Sequence, residues 1–270
     1  MEQRGEIQPK LVIAIIPARY GSVRLPGKML LDLAGKPLIL HTLSQATKAR
    51  TVSRVIVATD DERIFRVVTE AGAVAVMTSA DHQSGSDRLA EVAESLPEGS
   101  IVVNVQGDEP TISPDTIDVA VEALLNDSNA DISTTCEEIG SREELLNGNI
   151  VKVVTGDSGY AVCFSRSPVP FPREAAMRHD GDPGRAVQNE PELLSLFRKH
   201  TGLYVYRREY LLKFATMPQT TLEKVEMLEQ LRALENGAKI RVVEVEEPSI
   251  GVDTIEDLER MREILEQSQI

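Results

Sequence analysis

The sequence predicts an α/β protein built on a mostly parallel sheet arranged in layers. Residues 11–16 and 101–106 are apolar runs rich in Val and Ile, the pattern of strands covered on both faces. Segments of helical pattern separate such runs, opened by Pro37 or by Asp60 and Asp61 and closed at Gly72. Strands that alternate with helices at this spacing need crossover connections, and these give parallel neighbours.

Residues 11–16 form the first strand, and a helix runs from Pro37 to about Ala49. Residues 54–59 are the next strand, followed by a helix that Asp60 or Asp61 caps and Gly72 ends. A short strand at 74–77, a helix at 86–95, a strand at 101–106, a helix at 114–125 and a strand at 132–136 complete the alternating half. The second half differs. Residues 151–155 and 160–165 flank Gly156-Asp157-Ser158-Gly159, a hairpin turn. Residues 167–192, rich in Pro, Arg, Asp and Gly, read as a long mobile loop of the kind that covers active sites. Residues 200–206 are a strand, 221–235 a helix closed by Gly237, 240–245 a strand and 255–266 a charged final helix.

A chain of 270 residues, 41% hydrophobic and 27% charged, buries a real core. We expect a single domain over 1–270 with a smaller elaboration at about 150–210. The apolar run at 11–17 is too short to span a membrane and charged Arg19 follows it, so it reads as a strand rather than a signal. Cys136 and Cys163 are far apart and belong to no metal or redox motif, which fits free thiols and a cytoplasmic location. A net charge of −14 argues against a nucleic-acid binder. It leaves anionic small molecules open. A cation about 4 Å from a phosphate contributes roughly 4 kcal/mol at an effective dielectric of 20, whereas distant carboxylates are screened beyond roughly 8 Å.

Such cations cluster after the first strand. Arg19, Arg24 and Lys28 fall within ten residues, interleaved with Gly21, Pro26 and Gly27. Ligands of open α/β sheets bind at the carboxyl ends of strands, where this loop must lie. Arginine grips phosphate through a planar fork and lysine acts as a point charge. The loop is not a P-loop: five residues separate Gly21 from Gly27, and Met29 stands where Ser or Thr is needed. Two acids also sit after strand patterns, Asp108 in Gly107-Asp108-Glu109-Pro110 and Asp253 in Gly251-Val252-Asp253-Thr254. Magnesium takes a few carboxylate oxygens plus water and phosphates, and two such acids brought together suit it. Read singly, Asp108 serves a turn equally well and Asp253 the start of the last helix.

These residues resemble the 3-deoxy-manno-octulosonate (Kdo) cytidylyltransferase family. The resemblance is carried by IIPARYGSVRLPGK (15–28), IVATDDE (56–62), DHQSGSDRLAEV (81–92), VVNVQGDEP (102–110), NGNIVKVV (147–154), FSRSPVP (164–170), HTGLYVYRREYL (200–211), LEKVEMLEQLR (222–232) and GVDTIEDLERMR (251–262). It implies a nucleotide-diphospho-sugar transferase fold, a homodimer, and reaction of CTP with Kdo to give CMP-Kdo and pyrophosphate for lipopolysaccharide. It implies that Asp108 and Asp253 hold Mg2+, that Arg19, Arg24 and Lys28 bind the triphosphate, and that Ser84 and Gln106 contact the nucleotide. Some positions depart from the pattern: Gly148 replaces a usual proline, Thr111 a usual apolar residue, Ser86-Asp87 a usual Thr-Glu pair, and 173–191 matches poorly.

On the sugar side, strand alternation places His200, Gly202 and Tyr204 on one face. Arg166, just after a strand, suits a sugar carboxylate. Glu223, Glu226 and Gln230 share one face of the 221–235 helix, and the resemblance turns Glu226 and Gln230 toward sugar. The expected chemistry is in-line attack of the sugar C2 hydroxyl on the CTP α-phosphorus, with Asp108, Asp253 and Lys28 as the catalytic group. An amino-sugar analogue of Kdo as acceptor, or a non-catalytic nucleotide-binding protein of the same fold, are the other readings.

Overall fold

The computed structural model describes residues 10–21, 24–82, 84–248 and 250–267. The chain runs β1 (Val12–Ala18), β2 (Asp32–Leu33), β3 (Lys36–Pro37), α1 (Leu38–Lys48), β4 (Arg54–Thr59), α2 (Glu62–Glu70), β5 (Val74–Met77), α3 (Gly85–Glu94), β6 (Ile101–Asn104), α4 (Pro114–Leu125) and β7 (Ile132–Glu138). Then come α5 (Arg142–Leu146), β8 (Lys152–Thr155), β9 (Ala161–Ser165), α6 (Arg173–Arg178), α7 (Pro183–Asn189), β10 (Arg198–Arg207), α8 (Arg208–Ala215), α9 (Thr221–Glu226), α10 (Glu229–Glu235), β11 (Ile240–Glu244) and α11 (Ile255–Gln267).

The main sheet has the order β11-β7-β10-β6-β1-β4-β5. β1 pairs in parallel with β4 and β6, β4 with β5, and β11 with β7. β10 runs against its neighbours β6 and β7, and β8 and β9 join the same sheet off this path, β8 antiparallel to β10 and β9 antiparallel to β8. Residues of β1 alternate between two cores. Val12, Ala14 and Ile16 pack with apolar residues of α1, α2, α4 and α11, and Ile13 and Ile15 with those of α3, α8 and α10. A sheet buried on both faces explains why β1 reads as an unbroken apolar run.

Several elements differ from the sequence expectation. The 167–192 stretch is not a bare loop: it forms α6 and α7, the latter opened by Asp182, whose carboxylate accepts from the Gly184 and Arg185 amides, and by Pro183 in the first turn. A small apolar cluster of Ile139, Leu145, Val187 and Phe197 anchors this region. β10, expected inside the elaboration, is a strand of the main sheet, so only β8, β9, α6 and α7 lie off its path. The expected 221–235 helix is two helices. Met227 adopts a left-handed conformation with φ 54° and ends α9, so Glu226 and Gln230 lie on different helices. α8 follows β10 without a turn residue and was absent from the sequence reading.

Candidate active site

The carboxyl ends of β1 and β6 meet the segment that precedes α11. The Val252 amide donates to the Asp108 carbonyl at 2.9 Å, and this backbone tie lays Asp253 beside the Gly107-Asp108 turn. Lys28 Nζ donates to Asp108 Oδ2 at 2.5 Å, to Asp253 Oδ1 at 2.9 Å and to the Val252 carbonyl at 3.3 Å. Arg24 Nη2 donates to Asp253 Oδ2 at 2.9 Å. Two acids from distant segments therefore share one ammonium group. Burial alone pushes the Lys28 ammonium down, but Asp108 and Asp253 outweigh it and hold it above its ordinary value.

Local geometry explains why the pieces fit. A Cβ on Gly107 would stand 3.1 Å from the Met29 side chain and from the Pro17 carbonyl, so any other residue here must push these neighbours aside by a few tenths of an ångström. Thr42 Oγ1 fixes the same turn by donating to the Gly107 carbonyl at 3.0 Å. Gly27, at φ +70°, lies against the Tyr20 ring, and its amide closes the loop on the Tyr20 carbonyl at 3.0 Å. On the other side Asp257 accepts from the Asp253 and Thr254 amides at 3.1 and 2.9 Å. Burial would raise that carboxyl, yet these bonds prevail and hold it below its usual range.

The rest of the phosphate loop is spread wider. Arg19 Nη2 donates to the His82 carbonyl at 2.8 Å. Ser84 caps α3: its hydroxyl accepts from the Asp87 amide, and Asp87 accepts from the Ser84 amide, both at 3.1 Å. The start of α3 faces the first loop, since a Cβ on Gly85 would meet Pro17 at 3.7 Å. Ser22, Val23 and Gln83 of the quoted motifs lie outside the described residues.

Beyond these groups opens a cavity of about 230 Å³, lined by Gln106, Tyr204 and Gln230 from the sequence reading. Asn104, Tyr206, Ser86 and Glu229 line it too and were not singled out. Ser86 Oγ donates to Glu229 Oε2 at 2.6 Å, so Glu229 rather than Glu226 brings a carboxylate to this wall. The side-chain amide oxygen Oδ1 of Asn104 is buried with no hydrogen-bond partner among the described residues. Burial, and then Glu229, drive the Tyr206 phenol far up, so it stays a donor. Asn104 carries no sequence signal of its own for this wall: the antiparallel pairing of β10 with β6 sets it opposite Tyr204.

His200 is half-buried, between Phe164 at 5.0 Å and Tyr204 at 5.2 Å, with Nε2 2.9 Å from Thr134 Oγ1. Burial pushes its pKa down to about 3, so the ring is neutral. It lines a second cleft of about 730 Å³ together with Glu109, Lys199 and Arg260. The β10 register shifts between His200 and Tyr204, so simple alternation fails there. Gln106 Nε2 donates to the Gly202 carbonyl at 3.1 Å across this irregularity.

Arg166 and Glu226 are joined to each other. Glu226 accepts from Ser165 Oγ at 2.7 Å and from the Arg166 amide at 2.9 Å. The Arg166 guanidinium donates to the carbonyls of Glu226 at 2.7 Å, Gly148 at 2.9 Å and Met227 at 3.4 Å. No acidic side chain is ion-paired with that guanidinium among the described residues.

For a divalent ion the donor set is two carboxylates and the Val252 carbonyl, gathered around a point that a cation, the Lys28 ammonium, already fills. No group of three or more His, Cys, Asp or Glu side chains is arranged for a metal among the described residues. Hard oxygen donors of this number fit magnesium, which keeps water and substrate phosphate for its other positions.

Residues 13–240 match the family described as cytidylyltransferase. The 3-deoxy-manno-octulosonate cytidylyltransferase of Trichlorobacter lovleyi is 51% identical over 95% of this chain and 99% of its own length. That of Geobacter sulfurreducens is 50% identical over 94% and 99%. Among solved structures, a CMP:2-keto-3-deoxy-manno-octonic acid synthetase complexed with CTP superposes with a TM-score of 0.86 at 39% identity, covering 96% of this chain and all of that one. The 4-diphosphocytidyl-2C-methyl-D-erythritol synthase of Anaerococcus prevotii, at TM-score 0.60 and 15% identity over 96% and 97% of the two chains, shares the fold.

Proposed function

The chain belongs to the 3-deoxy-manno-octulosonate cytidylyltransferases, and from that premise we propose that it transfers CMP from CTP to Kdo with release of pyrophosphate. The observation that carries the reading is the meeting of Asp108, Asp253, Lys28 and Arg24 at one point of the strand ends. It is the arrangement that a polyanionic nucleotide and a divalent cation require together.

The residues divide the work as follows. Arg19, Arg24 and Lys28 attract the triphosphate and stabilise charge that builds on departing pyrophosphate. The start of α3, with Ser84 fixed by its cap, adds backbone donors beside the same loop. Asp108 and Asp253 would hold Mg2+, which when bound would neutralise charge between two anionic reactants and favour the ionised hydroxyl. Lys28, whose ammonium lies between the two carboxylates, would pair with the triphosphate instead. Gln106, Tyr204 and Gln230 position the sugar, together with Glu229, and Arg166 meets its carboxylate. His200, neutral and held by Thr134, supports Tyr204 through ring contact. In-line attack of the C2 hydroxyl then rests mainly on positioning.

Exposed Val162, Phe171 and Met177 on the elaboration support a homodimer. The two cysteines form no disulfide, which supports a cytoplasmic setting, where the product would feed lipopolysaccharide assembly. No helix among the described residues is long and apolar enough to cross a membrane.

Pyrophosphate release from CTP, measured with Kdo, with an amino-sugar analogue of Kdo and with neither, tests the reading. Release that requires Kdo and stops with chelator is expected. Preference for the amino analogue transfers the proposal to that acceptor, and CTP binding without release refutes catalysis.

A further inference from the structure

Lys152 is fully buried, yet its ammonium has no acidic partner within ion-pair distance among the described residues. Nζ donates instead to the carbonyls of Asn147 at 3.0 Å and Ile150 at 2.7 Å. Those two carbonyls bracket the exposed turn at 147–150, and the carbonyl between them, of Gly148, accepts from Arg166 at 2.9 Å. The turn closes on itself, with the Ile150 amide donating to the Asn147 carbonyl at 3.1 Å and the Asn149 amide to Asn147 Oδ1 at 2.9 Å; the buried cation ties its two ends a second time, and the turn holds the second cation. Burial lowers the Lys152 pKa and the nearby Arg166 lowers it further, so the two positive charges repel and the geometry is kept by the carbonyls.

Gly148 leaves this turn without a fixed φ. Asn147 before it is extended, with φ −73° and ψ 114°, and a Cβ on Gly148 would meet nothing within 4 Å. We propose that Lys152 is a positioning residue: by tying the 147–150 turn it sets the Gly148 carbonyl and so aims the Arg166 guanidinium at the acidic sugar. This rests on the proposed function, in which Arg166 meets the sugar carboxylate.

The test is steady-state kinetics with CTP and Kdo on the full chain. Lys152→Met should raise KM for Kdo about tenfold, as expected for a misplaced positioning group, and leave KM for CTP within about twofold. A purely structural role predicts instead that thermal stability falls and that both KM values move together. Either that pattern or an unchanged KM for Kdo overturns the proposal. Because Lys152→Met removes a donor from the Asn147 and Ile150 carbonyls, leaving the Ile150 amide on the first, and can fail to fold, a glycine inserted after Gly148 at the exposed tip provides a second test. It should also raise KM for Kdo selectively, and an unchanged value overturns the proposal. Absence of CMP-Kdo formation by the unmutated chain is a failure of the proposed function and is read first.

Discussion

Replacing Lys28 by Met should weaken the resting protein and make its stability depend on divalent cations. Asp108 Oδ2 and Asp253 Oδ1 both lie within 2.9 Å of the Lys28 nitrogen. The two oxygens therefore stand no more than about 5.4 Å apart, where two unit charges repel by at least about 3 kcal/mol at an effective dielectric of 20. The Asp108 side chain is 25% exposed and that of Asp253 41%, so solvent screening reduces this to about 1–2 kcal/mol. For a chain of this length each kcal/mol corresponds to about 2–4 °C in Tm. Thermal unfolding of Lys28→Met in chelator should therefore show a loss of several degrees, and millimolar Mg2+ should restore most of it without any nucleotide. The unmutated protein, whose ammonium competes for the same point, should respond less. Equal Tm values in chelator, together with no response of the variant to Mg2+, would refute the reasoning that these carboxylates form one cation site.

Other expectations follow from the same geometry. Gly107→Ala forces a Cβ to 3.1 Å from the Pro17 carbonyl, so it should cost about 1–3 kcal/mol in denaturant unfolding and reduce turnover by displacing the first loop. Glu229→Gln should raise KM for the sugar more than KM for CTP in initial-rate assays, because Glu229 lines the sugar-side cavity and is held there by Ser86. His200 should make folding acid-sensitive. Its folded pKa is about 3 against an ordinary 6.5, so its contribution is complete above 6.5 and is lost as pH falls from 6.5 toward 3, where the unfolded chain takes the proton first. Urea titrations of His200→Gln should show a flatter decline of stability across that range than the unmutated chain.

The layered parallel sheet was legible because it depends on local pattern. β1 and β6 are buried on both faces, and such strands leave an apolar run that needs no partner to be recognised. α2 begins at Asp61, a side chain that announces a helix start by accepting from the Arg63 amide, whereas the matching cap of α3 is Ser84, two residues ahead of the expected start at 86. The break at Met227 was not legible, since a left-handed methionine carries no glycine or asparagine signal and is held by Arg166, which donates to its carbonyl, and by the packing of Leu228. α7 carried a signal that went unread, Asp182 followed by Pro183, because the surrounding Pro, Gly and Arg suggested loop. In the site, the residue types of the first loop and of the Gly107-Asp108 turn could be named from sequence. That Lys28 links Asp108 to Asp253 could not, because it depends on the backbone tie from Val252 to Asp108 between segments far apart in the chain. Glu229 was overlooked in favour of Glu226 for the same reason as Met227: one straight helix puts the wrong glutamate forward.

The most direct measurement is turnover of CTP and Kdo by Asp108→Asn, Asp253→Asn and the double variant, at saturating Mg2+. If the two carboxylates act as a single unit, each single change should lower kcat by about 10²–10³-fold and the double change should add little more. Losses that multiply, or a single variant that turns over near the unmutated rate, would contradict a shared cation site.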